Sequence, residues 1–159
     1  MNLIEAKELL SCHFSSDIRI AFKRAIESGF ELFAKIKDNK DYRCLGEYQR
    51  NGDRRLLYSS ICCNLDNDII KKAGFQTELE QYTSSFKTHI YNDKLVIDVF
   101  DSEHNHNTHY QESRFNLNRS DKAGKKYIII EYYNDEGILE RIMLRIYDEK
   151  INLIIEEEL

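Results

Sequence analysis

Lys126-Tyr-Ile-Ile-Ile-Glu-Tyr-Tyr133, Ile138 to Tyr147 and Ile151-Asn-Leu-Ile-Ile155 are three β-rich runs, parted by the short polar turns Asn134-Asp-Glu-Gly137 and Asp148-Glu-Lys150. Their β-branched and aromatic residues suit a pleated, half-buried surface. Turns this short make the chain fold back on itself twice. The stretch therefore predicts a three-stranded antiparallel meander, and the fold is built outward from it.

Upstream, Leu3, Ala6 and Leu9-Leu10 fall at helical spacing and predict a short first helix. Ser15 or Ser16, followed by Asp17, reads as the cap of a longer second helix. Ile18, Phe22, Ala25, Ile26, Phe30, Phe33 and Ile36 form its apolar stripe. Gly29 interrupts it at a cost of about 1 kcal/mol against alanine. Residues 1–37 are thus a helical part, and 43–159 are expected to be mainly sheet, with one short helix near 66–74. Asn51-Gly52 predicts a hairpin between strands 43–50 and 54–65. Asp66-Asn67-Asp68 offers a cap for the short helix, and Gly74 stops it. A second hairpin is expected from Phe86–Tyr91 and Leu95–Phe100 around Asn92-Asp93-Lys94. The apolar residues on both faces of Leu95–Phe100 suit a strand near mid-sheet. The expected fold class is α+β: N-terminal helices on a mostly antiparallel sheet of five to seven strands, with the meander at its centre.

At 159 residues a single domain, 1–159, with one core is expected. Charged residues at 32% and hydrophobic ones at 42% are the mixture of a globular protein rather than a disordered one. No apolar run reaches the ~20 residues of a bilayer crossing, and the acidic start lacks a signal pattern. The chain is therefore read as cytoplasmic, with no membrane partner. Cys12, Cys44, Cys62 and Cys63 lack zinc spacing and read as small buried thiols. A net charge of −5 argues against direct nucleic-acid binding and favours a basic partner.

Ser102 to Lys125 is polar and longer than most structureless loops, which singles it out as a candidate functional loop. It follows the most pointed constellation, Asp98-Val-Phe-Asp101-Ser-Glu103-His104-Asn-His106-Asn-Thr-His109. Imidazoles two apart on an extended chain face the same way, so His104 and His106 could grip a divalent metal, with Asp101 or His109 as third ligand. Such an ion would serve a small metal-dependent phosphodiesterase or nuclease. Asp98 and Glu131 on neighbouring strands suggest a second nuclease arrangement, but Tyr133 stands where its lysine belongs. Two basic stretches, Arg50-Arg54-Arg55 and Arg114 to Lys126, read mainly as solvated surface.

Ten tyrosines without tryptophan bring large contact area at low entropy cost. Tyr132 and Tyr147 are the candidate aromatic contacts. Asp135 and Glu136 in one turn, Asp148 and Glu149 in the other, and Glu156-Glu157-Glu158 are candidates for a negative rim. No catalytic motif or glycine-rich phosphate loop is present, so no cofactor is expected outside the metal reading. An unprotected sheet edge would allow a homodimer.

Proline and tryptophan are absent, while Ile, Asn, Lys and Tyr are plentiful, as in AT-rich bacterial and phage coding sequences. In size, acidity and lack of a catalytic motif the whole chain resembles the anti-CRISPR proteins that bacterial mobile elements encode against Cas9. The resemblance implies a non-enzymatic protein–protein interaction: a Cas9 inhibitor, in the cytoplasm of a bacterial host cell, that binds the basic nuclease and blocks DNA entry, domain movement or cutting. The other functional expectations are the metal-dependent enzyme and an antitoxin-like binding module.

Overall fold

The structure, a computed structural model, describes residues 1–42, 52–81, 86–103, 124–148 and 150–159. Helix α1 (Leu3–His13) starts in a capping box. The Glu5 amide donates to Asn2 Oδ1 at 3.0 Å, and the Asn2 amide donates to Glu5 Oε2 at 2.8 Å. Helix α2 (Ser16–Asp38) has Ser15 as its N-cap, but no side-chain bond closes it. Asp17 in the first turn instead favours the positive end of the helix dipole. The expected stripe buries Phe22, Ala25, Ile26, Phe30 and Phe33, and Gly29 joins them.

Residues 54–65 correct the expected strand. They belong to an α-helix, α3 (Gly52–Leu65), so the second strand of the expected hairpin is absent and 43–159 is less purely sheet than expected; the expected first strand, 43–50, and Asn51 lie outside the described residues. Leu57, Ile61 and Leu65 recur at intervals of four and are buried. A short apolar run reads equally as strand or buried helix until something packs on it. Here that is α2: a Cβ added at Gly29 would stand 2.6 Å from the Ile61 Cα. Glycine is what lets the two backbones approach so closely. Helix α4 (Asp68–Lys72) is capped by Asn67, whose Oδ1 accepts from the Ile69 and Ile70 amides at 2.8 and 3.0 Å. It ends before Gly74 at φ +85°, as the sequence predicts.

Among the described residues six strands follow: β1 (Gln76–Gln81), β2 (Phe86–Tyr91), β3 (Leu95–Asp101), β4 (Lys126–Asp135), β5 (Ile138–Tyr147) and β6 (Leu153–Glu158). They form one sheet in sequence order, β1-β2-β3-β4-β5-β6. Every neighbouring pair is antiparallel except β3 and β4, which run parallel from Leu95↔Lys126 to Asp101↔Tyr132. The α+β class, the hairpin around residues 92–94 and the final meander stand as expected. The meander's place is corrected: β3 and β4 are the central pair, and the meander is one half of the sheet, ending at edge strand β6.

One large core joins the helices to a single sheet face. Ile97, Val99, Ile128, Ile130, Leu144 and Ile146 point into it with Phe22, Ile26, Phe30 and Ile61. Phe14, Phe22 and Phe75 pack ring against ring, with centroids 5.3 to 6.4 Å apart. No described helix is long and apolar enough to cross a membrane.

Candidate functional site

Strand alternation places a second set of residues on the sheet face turned away from the main core. Val96, Tyr127 and Ile129 form a small apolar cluster there, with Tyr91, Phe100, Tyr147 and Ile151 packed on it. Two fully buried carboxylates, Asp98 and Glu131, sit on the same face of the adjacent parallel strands β3 and β4. Asp98 is paired in register with Ile129, and Glu131 lies two residues further along β4, opposite Phe100. The two acids singled out by spacing are therefore diagonal neighbours.

Each is held by its own partners. His89, across the β2–β3 hairpin, brings Nδ1 to 2.8 Å from Asp98 Oδ1, and the Tyr127 hydroxyl donates to Oδ2. Glu131 accepts from the Tyr133 hydroxyl at 3.0 Å and pairs with the Arg145 guanidinium. Arg145 reaches further, donating to the Tyr133 hydroxyl at 2.8 Å and from Nε to Glu156 at 2.7 Å. Arg141 lies 4.2 Å from the Tyr133 ring centre, a cation–π distance. Burial pushes the phenols of Tyr133 and Tyr147 above the ordinary tyrosine value, so both remain donors at neutral pH.

The missing lysine of the nuclease pattern thus has a counterpart. Tyr133 fills the expected position as a donor to Glu131, and the cation arrives from Arg145 on β5. Both Asp98 oxygens already accept hydrogen bonds within the sheet. Arg145 and Glu156 face each other by strand register, and Arg145 is also level with Ile129. Sequence reasoning missed His89, Arg145 and Glu156 as parts of one network. His89 was within reach: a hairpin closing on Asn92 and Leu95 sets residue 89 opposite residue 98.

The expected metal site is only partly in view. Asp101 is buried, and its Oδ1 accepts from the Glu103 amide at 3.1 Å. His104, His106 and His109 lie outside the described residues. Among the described residues no group of three or more His, Cys, Asp or Glu side chains is placed to hold a metal. Of the basic stretches, Arg54 stands in the first turn of α3 and pairs with Glu103, while Lys125 donates to the Asn92 carbonyl at 2.5 Å. Arg50 and residues 114–122 lie outside the described residues. Cys62 is buried and its thiol is pushed up by that burial, whereas Cys12 and Cys63 are exposed, which corrects the reading of buried thiols for those two.

The candidate partner contacts separate into different places. Tyr132 is corrected from surface contact to core: it is 1% exposed on the helix side, with its ring 5.6 Å from Phe30, edge on. Tyr147 is half-buried against the second-face cluster. Asp148 closes its own turn, accepting from the Asn152 side-chain amide at 2.9 Å and from the Asn152 and Lys150 backbone amides at 2.8 Å, and these bonds hold its carboxyl below the ordinary value. Glu149 lies outside the described residues. Asp135 and Glu136 are exposed at the β4–β5 turn, at the opposite end of β5 from Asp148. Ten residues of strand separate these turns, about 33 Å at strand rise, so they do not form one rim. Glu157 and Glu156 are each paired with an arginine, Arg19 at 2.5 Å and Arg145 at 2.7 Å.

What remains outward at the β4–β5 tip is a compact group. Glu136 at φ +49° and Gly137 at φ +86° make the two-residue turn closed by Asp135↔Ile138. Gly137 lies on Phe33, whose Cε1 would be 2.5 Å from an added Cβ. Ile138 is 72% exposed, with Asp135, Glu136 and Glu140 exposed beside it. Ile138 and Glu140 carried no signal in the sequence, because Ile138 reads as the first residue of a buried strand.

Compared with protein families, with curated proteins and with solved structures, the chain finds no match.

Proposed function

We propose that this chain is a binding protein that docks on a basic protein partner and inhibits it. The observation carrying the reading is the β4–β5 tip. A branched aliphatic side chain 72% exposed costs solvation until something covers it. Asp135, Glu136 and Glu140 around it would steer a basic surface onto that point. The two-residue turn holds Glu136 in the left-handed region and so presents its side chain at the tip of the hairpin. The overall charge of −5 agrees in sign.

The resemblance to anti-CRISPR proteins names the partner in this proposal: a Cas9 nuclease in the cytoplasm of a bacterial cell. The test is target-DNA cleavage by guide-loaded Cas9 enzymes from several sources, with and without this protein. A control holds DNA, this protein and manganese but no Cas9. Suppressed cleavage with an intact control is the expected result. The triple variant Asp135→Lys, Glu136→Lys, Glu140→Lys should then restore cutting while keeping the parent's circular dichroism. Inhibition that survives this variant removes the tip as the contact. Cas9 enzymes that cut normally in every lane remove Cas9 as the partner, and an antitoxin-like module is then sought by partner capture. Nicked DNA in the control would transfer the proposal to the metal-dependent reading of Asp101, His104, His106 and His109.

A further inference from the structure

Among the described residues other than glycine, Glu136 and Ile151 have positive φ, at +49° and +67°. Ile151 is the costlier of the two, because a branched side chain is crowded in the left-handed region. Its amide donates to the Asp148 carbonyl at 3.2 Å, and the Asp148 amide donates to the Asn152 carbonyl at 3.0 Å. These bonds make the β5–β6 connection a three-residue hairpin loop, whose last residue is left-handed and ordinarily glycine. Asn152, which would tolerate that conformation, stands one position too late. Ile151 packs instead against the cluster of Val96, Tyr127 and Ile129. The closed loop therefore keeps a strain that its opening would release.

We infer that this loop is a hinge and that β6 exchanges between two copies of the chain, each laying its Leu153–Glu158 strand on the other's β5. The contacts that seat β6 are indifferent to which copy supplies the strand. It pairs with β5 from Tyr147↔Leu153 to Met143↔Glu158 and buries Ile155 in the main core. Glu156 accepts from Arg145 Nε at 2.7 Å, and Glu157 pairs with Arg19. Lys23 donates to the Leu159 carbonyl at 2.7 Å, and the Leu159 amide donates to the Ile142 carbonyl at 2.9 Å. All of these would re-form across a two-fold axis.

Exchange therefore costs the contacts of the loop itself and the freedom of two separate chains. Strand pairing is already irregular at Ile146/Tyr147, beside the hinge, so peeling would start there. Against opening, the Asp148 carboxylate accepts from the Lys150 and Asn152 amides at 2.8 Å. The closed monomer is thus favoured in dilute solution and the exchanged dimer on concentration, with the Ile151 strain released twice per dimer. The inference needs no nuclease partner. It also differs from edge-to-edge pairing, in which β6 stays on its own chain.

The test refolds the full chain from urea at micromolar and at millimolar concentration, and sizes the products by gel filtration with light scattering. Millimolar refolding should give a dimer that outlasts dilution, because each β6 must unpair before it can return and such opening is slow. In a dimer refolded from equal parts of ¹³C-labelled and unlabelled chains, isotope-filtered NOEs should join Ile146 of one copy to Ile155 of the other, its register partner. Inserting Gly-Gly between Lys150 and Ile151 removes no side chain and frees Ile151 from the left-handed region. It should weaken dimer association roughly tenfold, the scale of one strained residue. Asp148→Ala loosens the closed loop and should strengthen association. Three outcomes would overturn the inference: monomer alone after millimolar refolding, a dimer without Ile146–Ile155 NOEs between copies, or a dimer population unmoved by the insertion.

Discussion

The two faces of the sheet are built on the same backbone and stabilised by different physics. The helix side is a continuous apolar layer in which Ile97, Ile128, Ile130 and Leu144 are each fully buried among similar neighbours. The other side buries Asp98 and Glu131 just as completely, but pairs them with His89, Tyr127, Tyr133 and Arg145. Dispersion and solvent exclusion are non-directional and roughly additive, so the first face loses stability in proportion to what is removed. A charge pair away from water depends on both partners being present. One face is graded and the other conditional, although a single residue step along a strand moves between them.

The largest expected effect tests the conditional face. Arg145→Met leaves Glu131 buried without its cation and should cost about 3–5 kcal/mol in urea unfolding. Glu131→Leu combined with Arg145→Met should recover most of that loss, because nothing charged then remains to be neutralised. A double variant as unstable as the single one would show that the network is not conditional. On the graded face, Ile97→Ala should cost about 2–4 kcal/mol from lost burial plus a cavity. No single partner change should rescue it, and a rescue of that kind would erase the distinction between the faces.

Smaller changes sharpen the comparison at the elements that hold the faces in place. Glu136→Asn should raise stability by roughly 0.5–1 kcal/mol, because asparagine tolerates the left-handed turn better than glutamate. The same change should weaken inhibition if the tip is the contact, and a variant both more stable and fully inhibitory would separate the strain from function. The smallest effect concerns acid. Asp66 accepts from Thr77 at the start of β1 and pairs with Lys71 at 3.0 Å, and these partners hold its carboxyl below its ordinary value. A depressed folded-state pKa contributes stability above the unfolded value, and that contribution is lost as pH falls through the folded one. Asp66→Asn should therefore show a shallower fall in Tm than the parent on acidification below about pH 4. An identical acid limb in both would remove Asp66 from the balance.

Much of the architecture was legible wherever a local rule had no rival. The stripe of α2, the Asn67 cap with its Gly74 stop, the hairpin at residues 92–94 and the final meander all follow from periodicity and turn chemistry. Residues 54–65 were misread because Asn51-Gly52 is a strong hairpin signal, and the apolar pairs after it fit either period. The site was legible in pieces. Asp98 and Glu131 were recognisable as acids on neighbouring strands, and the hairpin register already implied His89. Arg145 was hidden by the register shift between Tyr133 and Asn134, which moves every later pairing on β5 by one residue.

The amino-acid sequence by itself determined the elements whose forces are local: helix caps, amphipathic stripes, two-residue turns and the alternation of each strand. Only the tertiary structure decided what those elements met. It turned Gly29 from a helix defect into the crossing point with Ile61, moved Tyr132 from surface to core, and set Arg145 beside Glu131. The physical reason is range. Backbone preferences and turn geometry act over a few neighbouring residues, whereas close approach, burial and charge pairing depend on residues brought together from distant parts of the chain.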